Sequence, residues 1–431
     1  MRIHVVKKGE TLFSIAKQYG VSARLLQKQN EVPPDGALVP GQTLVVLLPE
    51  TIHTVRPGDT VYSIARAHGI PVRELYQNNI FLQGQGNLIP GEELIISLRE
   101  AHRESSLGVN GYAYPYINGD LLRQVLPYMT YVTPFTYGIG PGGSLVPLSD
   151  QGILAAAGRY GVQPWMHLST LTEEGNFSSS RGEMLLQSRE RQEALLEEIT
   201  QVLGEKGYGG VDVDFEYLRP ELGAAFGAFV TMLRTALNPL GYSVLVALAP
   251  KTFAGQRGLL YEAHDYAALG NAANGALLMT YEWGYTAGPP MAVAPLDKVR
   301  QVLDYALTEI PAKKLFLGVP VYGYDWQLPF REGATRAQSL SPQEALALAR
   351  RYGAEIRYDE TAQAPWFRYT ARDGREHEVW FEDARSSYAK FRLAAEKGLQ
   401  GVGLWNLMRP APQTYLVLHG GFSIEEVGRK R

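Results

Sequence analysis

Gly210-Val211-Asp212-Val213-Asp214-Phe215-Glu216-Tyr217 places an acid at every second position, with apolar residues between them. In a β-strand, residues two apart share a face. Asp212, Asp214 and Glu216 therefore line one side, and Val211, Val213 and Phe215 the other. Buried charge costs several kcal/mol per ion unless it is paired. A core strand with three carboxylates on one face therefore points to chemistry. Like charges packed together cannot all ionise easily, so at least one pKa should be raised. A carboxylic acid still protonated near neutral pH can protonate a leaving oxygen.

Outward from this strand, apolar runs alternate with amphipathic helices. Strands are expected at 109–114, 131–137, 163–169, 210–216, 243–249, 276–281, 314–322 and 401–407. Between them lie helical stripes such as Leu195, Leu196, Ile199, Val202 and Leu203, or Phe226, Phe229, Val230 and Leu233. This α/β alternation predicts a TIM (β/α)8 barrel over 108–431, with a doubly wound sheet as the alternative. The stretch between the seventh and eighth strands is too long for one helix. A helix near 342–352 and short alternating segments around an Arg372-Asp373-Gly374 turn read as a small α+β insertion, about 325–385, walling a cleft.

The first hundred residues are built differently. His4-Val5-Val6-Lys7-Lys8-Gly9-Glu10-Thr11-Leu12-Phe13-Ser14-Ile15-Ala16 recurs as His53-Thr54-Val55-Arg56-Pro57-Gly58-Asp59-Thr60-Val61-Tyr62-Ser63-Ile64-Ala65. Each unit reads as strand, helix, helix, strand, with Thr11 and Thr60 as helix N-caps. The repeat resembles the LysM module, which gives LysM units at 1–49 and 50–98 and a polar linker at 99–107. The resemblance implies binding of N-acetylglucosamine polymers, peptidoglycan or chitin, in grooves near 9–12 with 30–38 and near 58–61 with 79–88.

The acidic strand itself resembles the Asp-Gly-x-Asp-x-Asp-x-Glu signature of glycoside hydrolase family 18, with Gly209 where the family carries its leading Asp. Met279-Thr280-Tyr281-Glu282-Trp283-Gly284 is similar to the family's sixth-strand segment, with Glu282 in place of Asp. Gly318-Val319-Pro320-Val321-Tyr322-Gly323 is similar to the seventh strand and Gly403-Leu404-Trp405 to the eighth. Trp380-Phe381-Glu382-Asp383 is similar to a segment closing the insertion. The resemblance implies a substrate-assisted, retaining mechanism, an exception to the two-carboxylate scheme. Glu216 would be general acid and then base, Asp214 would orient the acetamido N–H, Asp212 would share a proton with Asp214, and Tyr281 would hold the acetamido oxygen. Trp405, Tyr112, Glu282, Trp283, Tyr137, Met279, Tyr322 and Asp383 are the substrate-binding candidates. Of these, Met279 reads first as barrel lining, and His167 on the third strand reads as a satisfied interior polar group.

Two LysM-like units on such a barrel resemble the spore cortex-lytic N-acetylglucosaminidases of spore-forming bacteria. The implied activity is cleavage of the β-1,4 bond after N-acetylglucosamine, at the spore or cell wall. A chitinase and a non-catalytic glycan-binding coat protein are the alternatives. A chain without cysteine has no disulfide or thiol chemistry, and with eight His and no HExxH spacing no metal or other cofactor is expected. A net charge of −3 gives no footprint for nucleic acid. No apolar run is long enough for a membrane span, and the N-terminus lacks the apolar core of a secretory signal. No heptad or broad apolar helix face suggests an oligomer, so a monomer is expected.

Overall fold

The computed structural model describes residues 1–84, 86, 88–99, 103–172 and 175–428. Its largest sheet is a ring of parallel strands in chain order: Ser106–Ala113, Tyr131–Pro134, a third strand in two pieces (Gln163–Pro164 and Met166–Ser169), Gly210–Asp214, Ser243–Leu248, Gly275–Leu278, Leu315–Pro320 and Gly401–Trp405. The ring closes where Gln163–Pro164 pairs with the second strand and Tyr137 bridges Leu168. This is the expected TIM barrel, and the doubly wound alternative is set aside.

Alternation along the fourth strand is as the sequence demands. Phe215, just past its end, points outward and stacks on Phe226 and Phe229 of the helix Gly223–Leu237, with ring centroids 5.5 and 5.7 Å away. Asp212 and Asp214 point inward. The barrel interior beneath them is filled by Tyr112, Trp165, Leu245, Leu277 and Phe316, with Tyr131 stacked on Trp165 at 3.9 Å. The carboxylates thus stand on a buried, mostly apolar floor, which is what makes their burial consequential.

Three strands are shorter than the alternation suggested. The fourth ends at Asp214, so Glu216 lies on the loop beyond it, followed by Tyr217 at φ 56°. The second ends at Pro134. The seventh ends at Pro320, and the chain re-enters β structure at Gly323–Gln327 in a different sheet. That sheet is the insertion: five antiparallel strands ordered Gln338–Leu340, Gly323–Gln327, Glu376–Trp380, Ala364–Thr370 and Arg357–Asp359, packed on the helix Pro342–Tyr352. At Gly209, where the family signature carries Asp, the Gln163 side chain occupies the room a Cβ would need, 2.7 Å from it, and its amide reaches the Gly207 carbonyl.

Each N-terminal repeat is a strand pair closed over two helices, Leu12–Tyr19 with Ala23–Gln29 and Val61–His68 with Val72–Asn78. Thr11 and Thr60 cap as expected, in reciprocal boxes with Ser14 and Ser63. Asn30 and Asn79, expected beside the glycan groove, are buried. Each clips both backbone groups of its closing strand, Val45 and Ile95 respectively. Part of the second groove, residues 85 and 87, lies outside the described residues.

The repeats pack directly on the barrel. Gln413 bridges Thr43 and Asn30, His419 Nε2–H donates to Asn78 Oδ1 at 2.7 Å, and Arg73 donates to the Pro127 and Met129 carbonyls. Val39 enters the apolar core of the insertion, and Ile356 N–H donates to Pro40 O at 3.0 Å. Residues 100–102 of the expected linker lie outside the described residues. Its flanks are engaged: Arg99 bonds Leu48, Glu104 bonds Gly421, and Ser106 and Leu107 already belong to the first barrel strand.

Candidate active site

Depth orders the three acids. Asp212 is 0% exposed, Asp214 5%, and Glu216 lies half-buried in the wall of the cleft. The Tyr112 hydroxyl donates to Asp212 Oδ2 at 2.6 Å. Oδ1 of both Asp212 and Asp214 has no hydrogen-bond partner among the described residues. Burial pushes Asp212 up to about 6, partly offset by the Tyr112 hydrogen bond. Burial, with the charges of Glu216 and Asp212 added, holds Asp214 well above the usual carboxylate range, and burial raises Glu216 to about 7. Removing carboxylates from water disfavours their charged form, so protons stay on this group near neutrality.

The loop carrying Glu216 is pinned by His264, on the loop that follows the fifth strand. His264 Nδ1 accepts the Ala249 N–H, which leaves its Nε2–H to donate to Phe215 O at 3.1 Å. Burial lowers the His264 pKa to about 4, so the ring is a neutral strut.

A cleft of about 640 Å³ opens above the acids, a size that accommodates small ligands. Asp214, Glu216, Met279, Tyr281, Glu282, Trp283 and Trp405 all line it. The Tyr281 and Trp405 rings are near-parallel across 6.4 Å, and Trp405 is braced by Phe135 at 4.9 Å. Burial and the acids around it raise the Tyr281 phenol well above its ordinary range, so it stays a donor. Glu282, at φ 65°, is exposed at the mouth and accepts hydrogen bonds from Tyr322 and Tyr324. Glu282 and Tyr217 both occupy left-handed backbone that bulky residues rarely adopt, and such conformations gather at binding sites.

Four of the expected substrate-binding residues sit elsewhere. Tyr112 is buried under the cleft and serves Asp212. Tyr322 is mostly buried and serves Glu282. Tyr137 lies away from the cleft: its hydroxyl donates to the buried Asp150, which Tyr208 and Lys206 also engage. Asp383 caps the helix Ala384–Glu396 and pairs with Arg385, whose other bond goes to Gly41 of the first repeat. For Tyr137 the strand ends before the residue expected at its mouth. For Asp383 the reason is N-cap chemistry, signalled in sequence by the Ser386 three residues on. Sequence reasoning missed Tyr324, His264, Tyr114 and Phe135. None carries a local motif, and only strand ends and loop paths bring them together.

A family model described as "Glycosyl hydrolases family 18" matches residues 172–409, which span the acids, Tyr281 and Trp405. The chain belongs to glycoside hydrolase family 18. LysM domain models match 4–47 and 53–97. The family 18 barrel has relatives along its full length. The cortical fragment-lytic enzyme of Bacillus subtilis (strain 168) is 40% identical, the match covering 98% of this chain and 99% of that one. That of Bacillus anthracis is 35% identical, covering 99% and 100%. Among solved structures, the spore cortex-lytic enzyme SleL of Bacillus megaterium QM B1551 superposes with TM-score 0.83 at 37% identity, covering 98% of each chain. A chitinase from Chromobacterium violaceum matches with TM-score 0.67 at 28% identity, over 73% of this chain and 98% of that one. This family 18 protein is a glycoside hydrolase carrying two LysM domains. Among its described residues no helix is long and apolar enough to cross a membrane.

Proposed function

We propose that the enzyme is a peptidoglycan N-acetylglucosaminidase of the spore cortex, cleaving the β-1,4 bond after N-acetylglucosamine with retention of configuration. The observation that carries this is the graded acid stack under the Tyr281–Trp405 cleft, with Glu216 raised to about 7 at its rim. The cortical fragment-lytic relatives, matched over nearly the whole chain, supply the substrate class.

In this reading the sugar rests on Trp405, and Tyr281 and Asp214 hold its 2-acetamido group. The acetamido oxygen attacks the anomeric carbon as the glycosidic bond breaks, and Glu216 gives its proton to the leaving oxygen. The oxazolinium intermediate keeps its positive charge near Asp214, whose partner Asp212 takes the shared proton. Glu216, now ionised, removes a proton from water, which adds to the anomeric carbon and releases the product. Two inversions leave the configuration retained. Acid–base help of this kind contributes about 10² to 10⁴ in rate. The LysM units hold the enzyme, as a monomer at the spore or wall, on the polymer it cuts.

The test is a digest of cortex fragments with mass analysis of the new reducing ends. N-acetylglucosamine at those ends supports the reading, and Glu216→Gln removes the activity. The Chromobacterium violaceum match favours a chitinase as second reading. Faster cleavage of chitin oligomers than of cortex fragments decides for it.

A further inference from the structure

We propose that Tyr116 is a specificity-determining residue: its ring is a platform for a sugar further along the chain, on the non-reducing side of the one that reacts. The inference rests on the reading of Glu216 and Trp405 given above, and it names a residue that favours longer substrates.

The first barrel strand ends at Ala113, and Tyr114-Pro115-Tyr116-Ile117 follows it. The Ile117 N–H donates to Tyr114 O at 3.0 Å, which closes a turn with Pro115 in its second position. Proline suits that place because its fixed φ is the one the turn needs. Ile117 is buried in the main core, and the Tyr114 N–H donates to Met408 Sδ at 3.3 Å, so both ends of the turn are anchored. On this fixed corner Tyr116 is 77% exposed, more than any other large hydrophobic side chain among the described residues.

Exposure alone assigns nothing, since single apolar side chains are common on protein surfaces. Position does. One face of the Tyr116 ring lies on Tyr114, with centroids 5.4 Å apart and planes within 28°. Tyr114 lines the cleft and packs against Phe135 at 5.0 Å and Trp405 at 6.3 Å. Trp405, Tyr114 and Tyr116 thus form an unbroken run of rings from the cleft to the surface, and the outermost ring keeps one face open. Tyrosine presents an apolar face with a polar tip. A pyranose presents the matching surface, a C–H face rimmed by hydroxyls.

Strand order tells which part of the substrate meets this ring. The eighth strand pairs with the first, Leu404 opposite Gly111, and both stand across the ring of strands from the fourth, which leads to Glu216. A pyranose in a β-1,4 chain is linked at opposite ends. With the sugar on Trp405 and its leaving oxygen at Glu216, the other link points away from the fourth strand, toward the turn that carries Tyr116. A chain continuing on that side covers the open face, and the apolar area removed from water adds binding. The ring is already held in place, so little conformational freedom is lost when a sugar lands on it. A substrate that ends at the Trp405 sugar gains nothing from it.

Two measurements on the full chain test this. In the first, the Glu216→Gln chain carries ¹³C-labelled tyrosine and ¹⁵N-labelled tryptophan. The Tyr116 ring signal is assigned by its loss in Tyr116→Phe, and the Trp405 indole by its loss in Trp405→Phe. Saturation with the hexamer of N-acetylglucosamine is expected to shift both signals. A Tyr116 signal left in place while Trp405 shifts overturns the proposal and spares the reading of the cleft. If neither shifts, both fall. The second measurement uses 4-methylumbelliferyl glycosides of one to four N-acetylglucosamine units, in which only the non-reducing side varies in length. In Tyr116→Ala, kcat/KM is expected to match the parent on the shortest and to fall about tenfold on the longest, through KM. Tyr116→Phe keeps the ring and restores it. A merely structural role lowers every length alike, and that result, or no loss on the longest, overturns the proposal. If no glycoside is cleaved, the acetamido-assisted reading is at fault, and the ring shift still decides the role of Tyr116.

Discussion

Tyr112 on the first strand donates to Asp212 on the fourth, 2.6 Å across the barrel interior. Burial, and then the neighbouring acid, hold the Tyr112 phenol well above its ordinary range, so it donates at every working pH. Among the described residues it is the one hydrogen bond that the Asp212 carboxylate receives, and it partly offsets the burial that raises this carboxyl to about 6. Tyr112→Phe removes the donor and keeps the ring. The Asp212 carboxyl then holds its proton to higher pH and loses the hydrogen bond that fixes its orientation beside Asp214. The expected result is kcat lowered by about tenfold or more with KM little changed, since Tyr112 does not line the cleft. Leaving a buried oxygen unpaired also costs about 1–3 kcal/mol, measurable by urea denaturation.

The pH dependence follows from the same stack. In the proposed mechanism Glu216 is the donor and works while protonated, so activity is expected to fall as pH rises through its pKa of about 7. The Asp212–Asp214 pair titrates as a unit and must lose a proton for Asp214 to act, with Asp212 at about 6. The profile of kcat/KM on soluble fragments is therefore a narrow bell with its maximum between these values. A broad plateau reaching pH 9 contradicts the assignment of Glu216.

The barrel and its deepest acids were legible because period-2 alternation is a local property of the chain: Asp212 and Asp214 could face only one way once Val211, Val213 and Phe215 faced the helices. The twin Thr caps and Gly stops of the repeats are equally local. What could not be read is what depends on where strands stop and on distant side chains meeting. Tyr137 was expected at a strand mouth, but the strand ends at Pro134 and the phenol turns to Asp150. His167 read as an interior polar group, and only the pairing of strands three and four sets it 3.6 Å from Asp214. The docking of the LysM units was hidden for the same reason, since Gln413 and Asn30 lie at opposite ends of the chain.

That docking makes a prediction at Gly41. A Cβ there falls 1.8 Å from the Ile356 carbonyl oxygen of the insertion, and the residue sits at φ +84°. Gly41→Ala meets backbone rather than a side chain that can swing away, and adds left-handed strain. Overpacking and strain together cost about 2–4 kcal/mol. The first repeat is expected to separate from the insertion, so scanning calorimetry shows the N-terminal units melting apart from the barrel. Hydrolysis of short soluble fragments changes little, because Gly41 does not line the cleft.

Glu216 also makes the enzyme less stable as pH rises. Its folded pKa of about 7 stands above the unfolded value near 4.5, so the native state holds this proton more tightly than the unfolded chain. Below the unfolded pKa both states are protonated and the group imposes no penalty. Between the two values the relative stability falls, and above the folded pKa the native state carries an ionised carboxylate that burial disfavours, by up to about 3 kcal/mol. Glu216→Gln keeps the shape and cannot ionise. That variant is therefore expected to be more stable than the parent at pH 8 and nearly equal to it at pH 4, by chemical denaturation at both pH values. An equal difference at the two values removes burial as the source of the raised pKa, and with it the reason Glu216 is protonated when a substrate arrives.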